Sequence, residues 1–255
     1  MTLIDGVLRS SSGSGVPLSP EVFEQELWDL LEKKSKQVSP VYEKMVNGSL
    51  SREGVLFWAT QIYFNVVEFK RYLSAIHASC PYPDVELMMI ENLWEEIGFG
   101  EPKRDHPSIM LTFCRALGGT DEGVKNTERL PETTAFIDHF FHVTRNGSFL
   151  EGFAAVGLGI EGNPYARGEK LPSKGNMSLA EIFEKHYGLD EEGNEMWVLH
   201  GVEDVTHSRR AMEVVTRYAT TVEEQQAVRN QILAATQLFK MWNDGISRAI
   251  AERGL

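Results

Sequence analysis

Residues 57–78 read FWATQIYFNVVEFKRYLSAIHA. Laid on a 3.6-residue period, the aromatic and aliphatic side chains nearly encircle the axis, and no two-residue alternation runs through them. A helix that is apolar almost all round is a buried one. The stretch therefore predicts a core helix over roughly 52–79, begun by Ser51 or Ser49 as N-cap. A protein with such a helix at its centre needs other helices to cover it. One carboxylate, Glu68, sits in this run between Val67 and Phe69. It either serves a buried site or pairs with Arg71 one turn on.

The flanking sequence supplies the covering helices. VFEQELWDLLEKKSKQV (22–38) has helical apolar spacing and ends at Pro40, after which VYEKMVNG forms a short helix. PDVELMMIENLWEEIGFG predicts a helix over about 83–98, and HPSIMLTFCRALG another, closed by Gly118–Gly119. PETTAFIDHFFHVTRNG runs from Pro131 to Gly147. SFLEGFAAVGLGIEG is a further helix, rich in small residues. Helices follow at 178–187, about 192–218 and about 222–251. NPYARGEKLPSKGN (163–176) is a loop inside the domain, and residues 1–19, with their SSSGSG tract, are a flexible leader. No strand alternation, repeat or interdomain linker is present. The expectation is one compact all-α domain over 20–255, of seven to nine helices.

Composition narrows the function. The 255 residues carry a formal net charge of −12, which argues against nucleic acid and anionic membranes as partners. Two cysteines, Cys80 and Cys114, form neither a disulfide framework nor a CxxC motif, which suits a reducing cytoplasm. No segment reaches membrane-span length, and MTLIDGVLRSSSGSG holds no apolar run of the length expected of a signal peptide. Both cysteines read as packing residues.

The chemistry concentrates in LHGVEDVTHSRR (199–210). His200, Asp204 and His207 stand at i, i+4 and i+7 and share one helix face. Imidazole and carboxylate bind transition metals such as iron. Helix-bundle metal sites draw ligands from several facing helices, so carboxylates in apolar surroundings matter. Glu161 closes AAVGLGIEG, a run otherwise apolar or tiny, and Glu95 and Glu96 close ENLWEE before His106 opens the next helix. Each has a plainer reading as a capping or paired residue. As a set, they point to a metal site. A rival set, Asp138, His139 and His142 in DHFFH, is split because His139 points about 100° away from the other two.

Those residues resemble the heme-oxygenase-like diiron oxidases and oxygenases, with HxxxDxxH on one core helix matched by His200, Asp204 and His207. The resemblance covers about residues 20–251. It implies a heme-oxygenase-like helical bundle and a metal site of Glu68, Glu96, His106, Glu161, His200, Asp204 and His207, with Glu95 an alternative to Glu96. It implies two iron ions and dioxygen as co-substrate. The reaction would be C–C cleavage, desaturation or N-oxygenation of a small amino-acid-like or amine substrate. An external electron donor and a homodimer are compatible with it. Other activities known in this fold are fatty-acid oxidative decarboxylation, a metal-free thiaminase-type hydrolysis and quinone-cofactor biosynthesis. Within GFGEP, Gly98, Gly100 and Pro102 interrupt the helix between Glu96 and His106, so one metal position is expected to need ordering of 96–106.

Overall fold

The computed structural model describes residues 15–36, 39–167 and 174–255. Eleven α-helices and no strand occur among them: α1 Pro20–Ser35, α2 Pro40–Val46, α3 Arg52–Ser79, α4 Pro83–Glu96, α5 His106–Ala116, α6 Asp121–Asn126, α7 Pro131–Asn146, α8 Phe149–Phe153, α9 Lys174–Tyr187, α10 Glu191–Tyr218 and α11 Val222–Arg253. The expected seven to nine helices undercount the short ones. α6 is six residues long, too short for an apolar period to show, and only its Thr120 cap marks it. The first part of the leader, residues 1–14, lies outside the described residues, as do residues 168–173 of the loop expected over 163–176.

α3 runs through the middle, as its encircling apolar residues require. Val55, Trp58, Phe64, Phe69, Tyr72 and Ile76 are all buried although they point in different directions. Ser51, not Ser49, caps it by accepting from the Gly54 N–H. α4, α5 and α7 pack around α3, while α10 and α11 close the bundle against α5 and α7. A buried polar contact ties three of these helices together. Gln61 Oε1 on α3 accepts from the Thr133 hydroxyl of α7 at 2.6 Å, and Trp242 of α11 donates to that hydroxyl at 2.9 Å. Satisfying each polar atom keeps this crossing from costing desolvation energy.

α8 does not end as an α-helix. Its continuation, Ala154–Ile160, widens to a π-helical pitch, and the Glu161 N–H still reaches back five residues to the Val156 carbonyl at 3.1 Å. The small residues let neighbours press close. A Cβ on Gly157 would lie 2.9 Å from Ala211 Cβ of α10, and one on Gly159 would lie 2.7 Å from Ala235 Cβ of α11. Wide-pitch turns of this kind re-aim the side chains that follow them. Here the residue that follows is Glu161.

Candidate metal centre

Four segments meet around one buried point: the C-terminal end of α4, the start of α5, the residue after the π-helical turn, and the middle of α10. On α10, His200, Glu203, Asp204 and His207 lie on one face. The His200 Nδ1 and an Asp204 carboxylate oxygen are 3.2 Å apart. His207 stands between two carboxylates, with its Nε2 2.9 Å from Glu95 and its Nδ1 3.5 Å from Glu161. His106 Nδ1 is 3.0 Å from Glu96, and both side chains are 3% exposed. The rings of His106 and His200 meet edge to face with centroids 4.8 Å apart. These contacts bring six of the seven expected residues together: Glu96, His106, Glu161, His200, Asp204 and His207.

The local sequence explains how each arrives. His106 is the first residue of α5, preceded by Asp105 as N-cap and followed by Pro107, so its position is set where the helix begins. Glu161 is held through its backbone. The buried Ser208 hydroxyl of α10 donates to the Glu161 carbonyl at 3.0 Å and accepts from the Asn163 N–H at 2.9 Å. That ties the end of the π-helical turn to the metal-face helix itself.

Glu68 stands apart from this set. It is buried, but its carboxylate is bound by Arg71 at 2.6 Å and approached by Arg129 at 3.8 Å. The reason lies in the helix. The face of α3 toward the site carries Trp58, Ile62, Asn65 and Phe69, and Glu68 is rotated about 100° from Phe69. Apolar flanks on a helix buried all round do not say which side a carboxylate faces. Glu203 went unnoticed in the sequence although it occupies the i+3 position of the same face as His200. Its carboxylate lies 3.9 Å from His106 Nε2. The choice between Glu95 and Glu96 resolves into two roles: Glu96 is buried against His106, while Glu95 is more exposed and holds His207 from outside.

Electrostatics follow from this crowding. Burial opposes the charged form of His207, but Glu161 and Glu95 outweigh it and lift its pKa to about 11. Burial likewise opposes charge on His200, and Asp204, with Glu96 and Glu203 behind it, raises that group to about 9. Burial pushes the Glu161 carboxyl upward against the pull of His207. Carboxylates this close and this buried need positive charge between them. Among the described residues no three donors already surround one point as a finished ligand set.

The donors open on a cavity of about 270 Å3 lined by Glu96, His106, Glu161, His200 and Asp204 and walled by Trp58, Phe69, Trp197 and Trp242. Two lining atoms, His200 Nε2 and Trp197 Nε1, are buried without a hydrogen-bond partner among the described residues. A bare imidazole nitrogen beside buried carboxylates suits a cation. The donor set, nitrogen and oxygen without sulfur, suits iron. Residues 56–240 match the family described as iron-containing redox enzyme. The chain belongs to that family. It is 26% identical over 230 residues to a protein named 4-aminobenzoate synthase from Nitrosomonas europaea, covering 86% of this chain and 87% of that one. The protein of the same name from Chlamydia muridarum is 24% identical, with 76% of this chain and 77% of that one covered. Among solved structures, a heme-oxygenase-like domain from Shewanella denitrificans superposes with a TM-score of 0.72 at 14% identity, covering 93% and 97% of the two chains. A CADD-like protein from Nostoc punctiforme gives 0.69 at 16% identity, covering 90% and 97%. The fold of this iron-containing redox enzyme is thus heme-oxygenase-like, as the family resemblance implied. No helix among the described residues is long and apolar enough to cross a membrane.

Proposed function

We propose that this chain is a dioxygen-using, non-heme diiron oxygenase that forms 4-aminobenzoate or a close aminated aromatic acid. Support for the metal pair comes from the two-sided donor set. Glu96, His106 and Glu203 gather on one side of the α10 face, and Glu161, His207 and Glu95 on the other, with His200 and Asp204 along the same face. Iron bound there would supply the electron-transfer chemistry that lets dioxygen oxidise a closed-shell organic molecule.

The observation that carries the substrate class is the size and lining of the cavity. A cavity of roughly 150 Å3 holds benzene, or about 25 Å3 per heavy atom. The 270 Å3 here accommodates roughly eleven heavy atoms on that scale. An aromatic amino acid or aminobenzoate fits. The aromatic walls offer stacking faces and exclude water, while Asn65, Asn243 and the unpartnered Trp197 N–H offer polar contacts. The names of the relatives point to the same size of molecule. A thiol-dependent hydrolase is poorly served: Cys114 is fully buried and burial pushes its thiol up to about 12. The burial of Cys80 also raises its thiol.

The test is to load the purified chain with ferrous iron without oxygen, count iron per chain, add a panel of free aromatic amino acids and small amines with a chemical reductant, and admit dioxygen. Oxygen uptake with 4-aminobenzoate appearing by mass spectrometry is expected, as is restored growth of a bacterium that requires this compound. An iron-loaded chain that consumes no oxygen and restores no growth would overturn the proposal.

A further inference from the structure

A second cavity, of about 480 Å3, lies between α1 and α11. Phe239 and Asn243 line both cavities, so the two spaces adjoin along that strip of α11. Gly162, next to Glu161, also faces the outer space. The outer lining is rich in cations and hydrogen-bonding groups: Lys34, Lys36, Lys240, Ser39 and Thr236. Its carboxylate, Asp244, is already engaged by Lys240 at 2.5 Å.

Lys34 differs from Lys240. Its Nζ donates to the carbonyls of Gly159 at 2.5 Å and Ile160 at 3.4 Å, and stands 4.8 Å from the centroid of the Phe239 ring. Those partners are neutral, and among the described residues no carboxylate forms an ion pair with it. An ammonium has three protons to give, so one remains after these two bonds. A cation held against a ring and two carbonyls, at the edge of a space large enough for a ligand, has its position fixed before the ligand arrives.

We propose that the outer cavity is a carboxylate subsite, in which Lys34 holds the carboxylate of a small aromatic acid against the Phe239 ring, at the mouth of the inner cavity. The chemistry favours a singly charged anion. Lys34 is the cation fixed in place there, and the carbonyl end of the π-helical turn, Glu161, Asp204 and Asp244 all oppose a second negative charge. This rests on the proposed function only for its direction: with the carboxylate at Lys34, the far end of the ring enters the inner cavity and faces the metal donors. Lys34 would then determine which aromatic acids are accepted.

The lowered basicity of Lys34, to about 8, is consistent with this placement. Burial is the main cause, and the charge of Asp204 on α10 works against it. The other charged groups near it are Lys36 just after α1 and the Lys240–Asp244 pair on α11, with Glu161 next in sequence to Gly162 of the lining. Carboxylate binding should therefore weaken as pH rises through about 8.

The experiment is calorimetric titration of the full chain with benzoate and, as the neutral probe of equal shape, benzamide, with and without ferrous iron and without oxygen. Benzoate should bind at least about ten-fold more tightly, a preference of about 1.4 kcal/mol. Lys34→Met should erase the preference and Lys34→Arg should keep most of it. Equal binding of the two probes by the unaltered chain, or a preference that survives Lys34→Met, overturns the subsite. Should Lys34→Met not fold, the unaltered chain decides: a preference independent of pH between about 7 and 10 overturns it equally. Benzoate preference without any oxygen-dependent 4-aminobenzoate formation would sink the proposed function and leave the subsite standing. Product formation without the preference would do the reverse.

Discussion

Glu68 and Glu161 look alike in the sequence and differ in the fold. Both are carboxylates in apolar runs, yet Glu68 is neutralised by arginines while Glu161 faces His207. Their glutamine variants should therefore separate. Glu161→Gln is expected to lower iron content and oxygen-dependent turnover at least about ten-fold. Glu68→Gln should leave iron content unchanged and cost about 1 kcal/mol of stability, since Arg71 is 59% exposed and water replaces much of what the pair contributes. Iron counted by metal analysis, beside urea unfolding, checks both. Equal iron loss in the two variants would return Glu68 to the ligand set. Asp204→Ala removes the carboxylate beside His200, and is expected to abolish tight iron binding with helical content by circular dichroism unchanged. Full iron occupancy in that variant would remove the metal reading of α10.

The element that decides whether the donors meet is the connection from α4 to α5. Between Glu96 and His106 the backbone passes through the left-handed region four times, at Gly98, Phe99, Gly100 and Lys103, with φ of 68°, 55°, 77° and 68°. For Phe99 and Lys103 that conformation costs about 1–2 kcal/mol each, so the connection is strained as well as costly to order. At Gly98, an added Cβ would fall 2.3 Å from the Arg104 carbonyl carbon and 2.5 Å from the Asp105 nitrogen. Gly98→Ala must therefore displace the chain that delivers His106. It should lower stability by more than about 2 kcal/mol and reduce iron stoichiometry. A variant of unchanged melting temperature and iron content would show that the connection has slack. By contrast, α10 presents its donors on a continuous helix whose spacing is set by the backbone alone.

At the scale of the molecule, this contrast predicts how metal and fold are linked. His106 and His207 each lie within hydrogen-bond distance of a carboxylate, so bound iron would compete with protons for these donors and would hold the two ends of the 96–106 connection together. Ferrous iron should raise the melting temperature, by an amount that grows with the logarithm of its concentration, and a chelator should reverse it. Hydrogen exchange should slow in 96–106 on iron addition, while the buried middle of α3 stays equally protected. Strong, identical protection of 96–106 with and without iron would mean that the frame is preformed.

The all-α fold, the central place of α3 and the bounds of most long helices were legible in the sequence, because periodicity and caps act within a few residues. The metal face of α10 was legible for the same reason: i, i+4 and i+7 positions share a side whatever surrounds the helix. Which carboxylates from other helices face that side was not. Rotation of α3 turns Glu68 away toward Arg71 and Arg129, the π-helical turn aims Glu161 inward, and four left-handed residues bend His106 back onto Glu96. Lys34 gave no signal in the sequence, being one of three basic residues at the end of α1. Its environment comes from Gly159, Ile160 and Phe239, more than a hundred residues away along the chain. Local chemistry fixed what each helix offers. Only packing between distant helices decided which offers meet, because burial and charge pairing depend on neighbours that no short window of sequence contains.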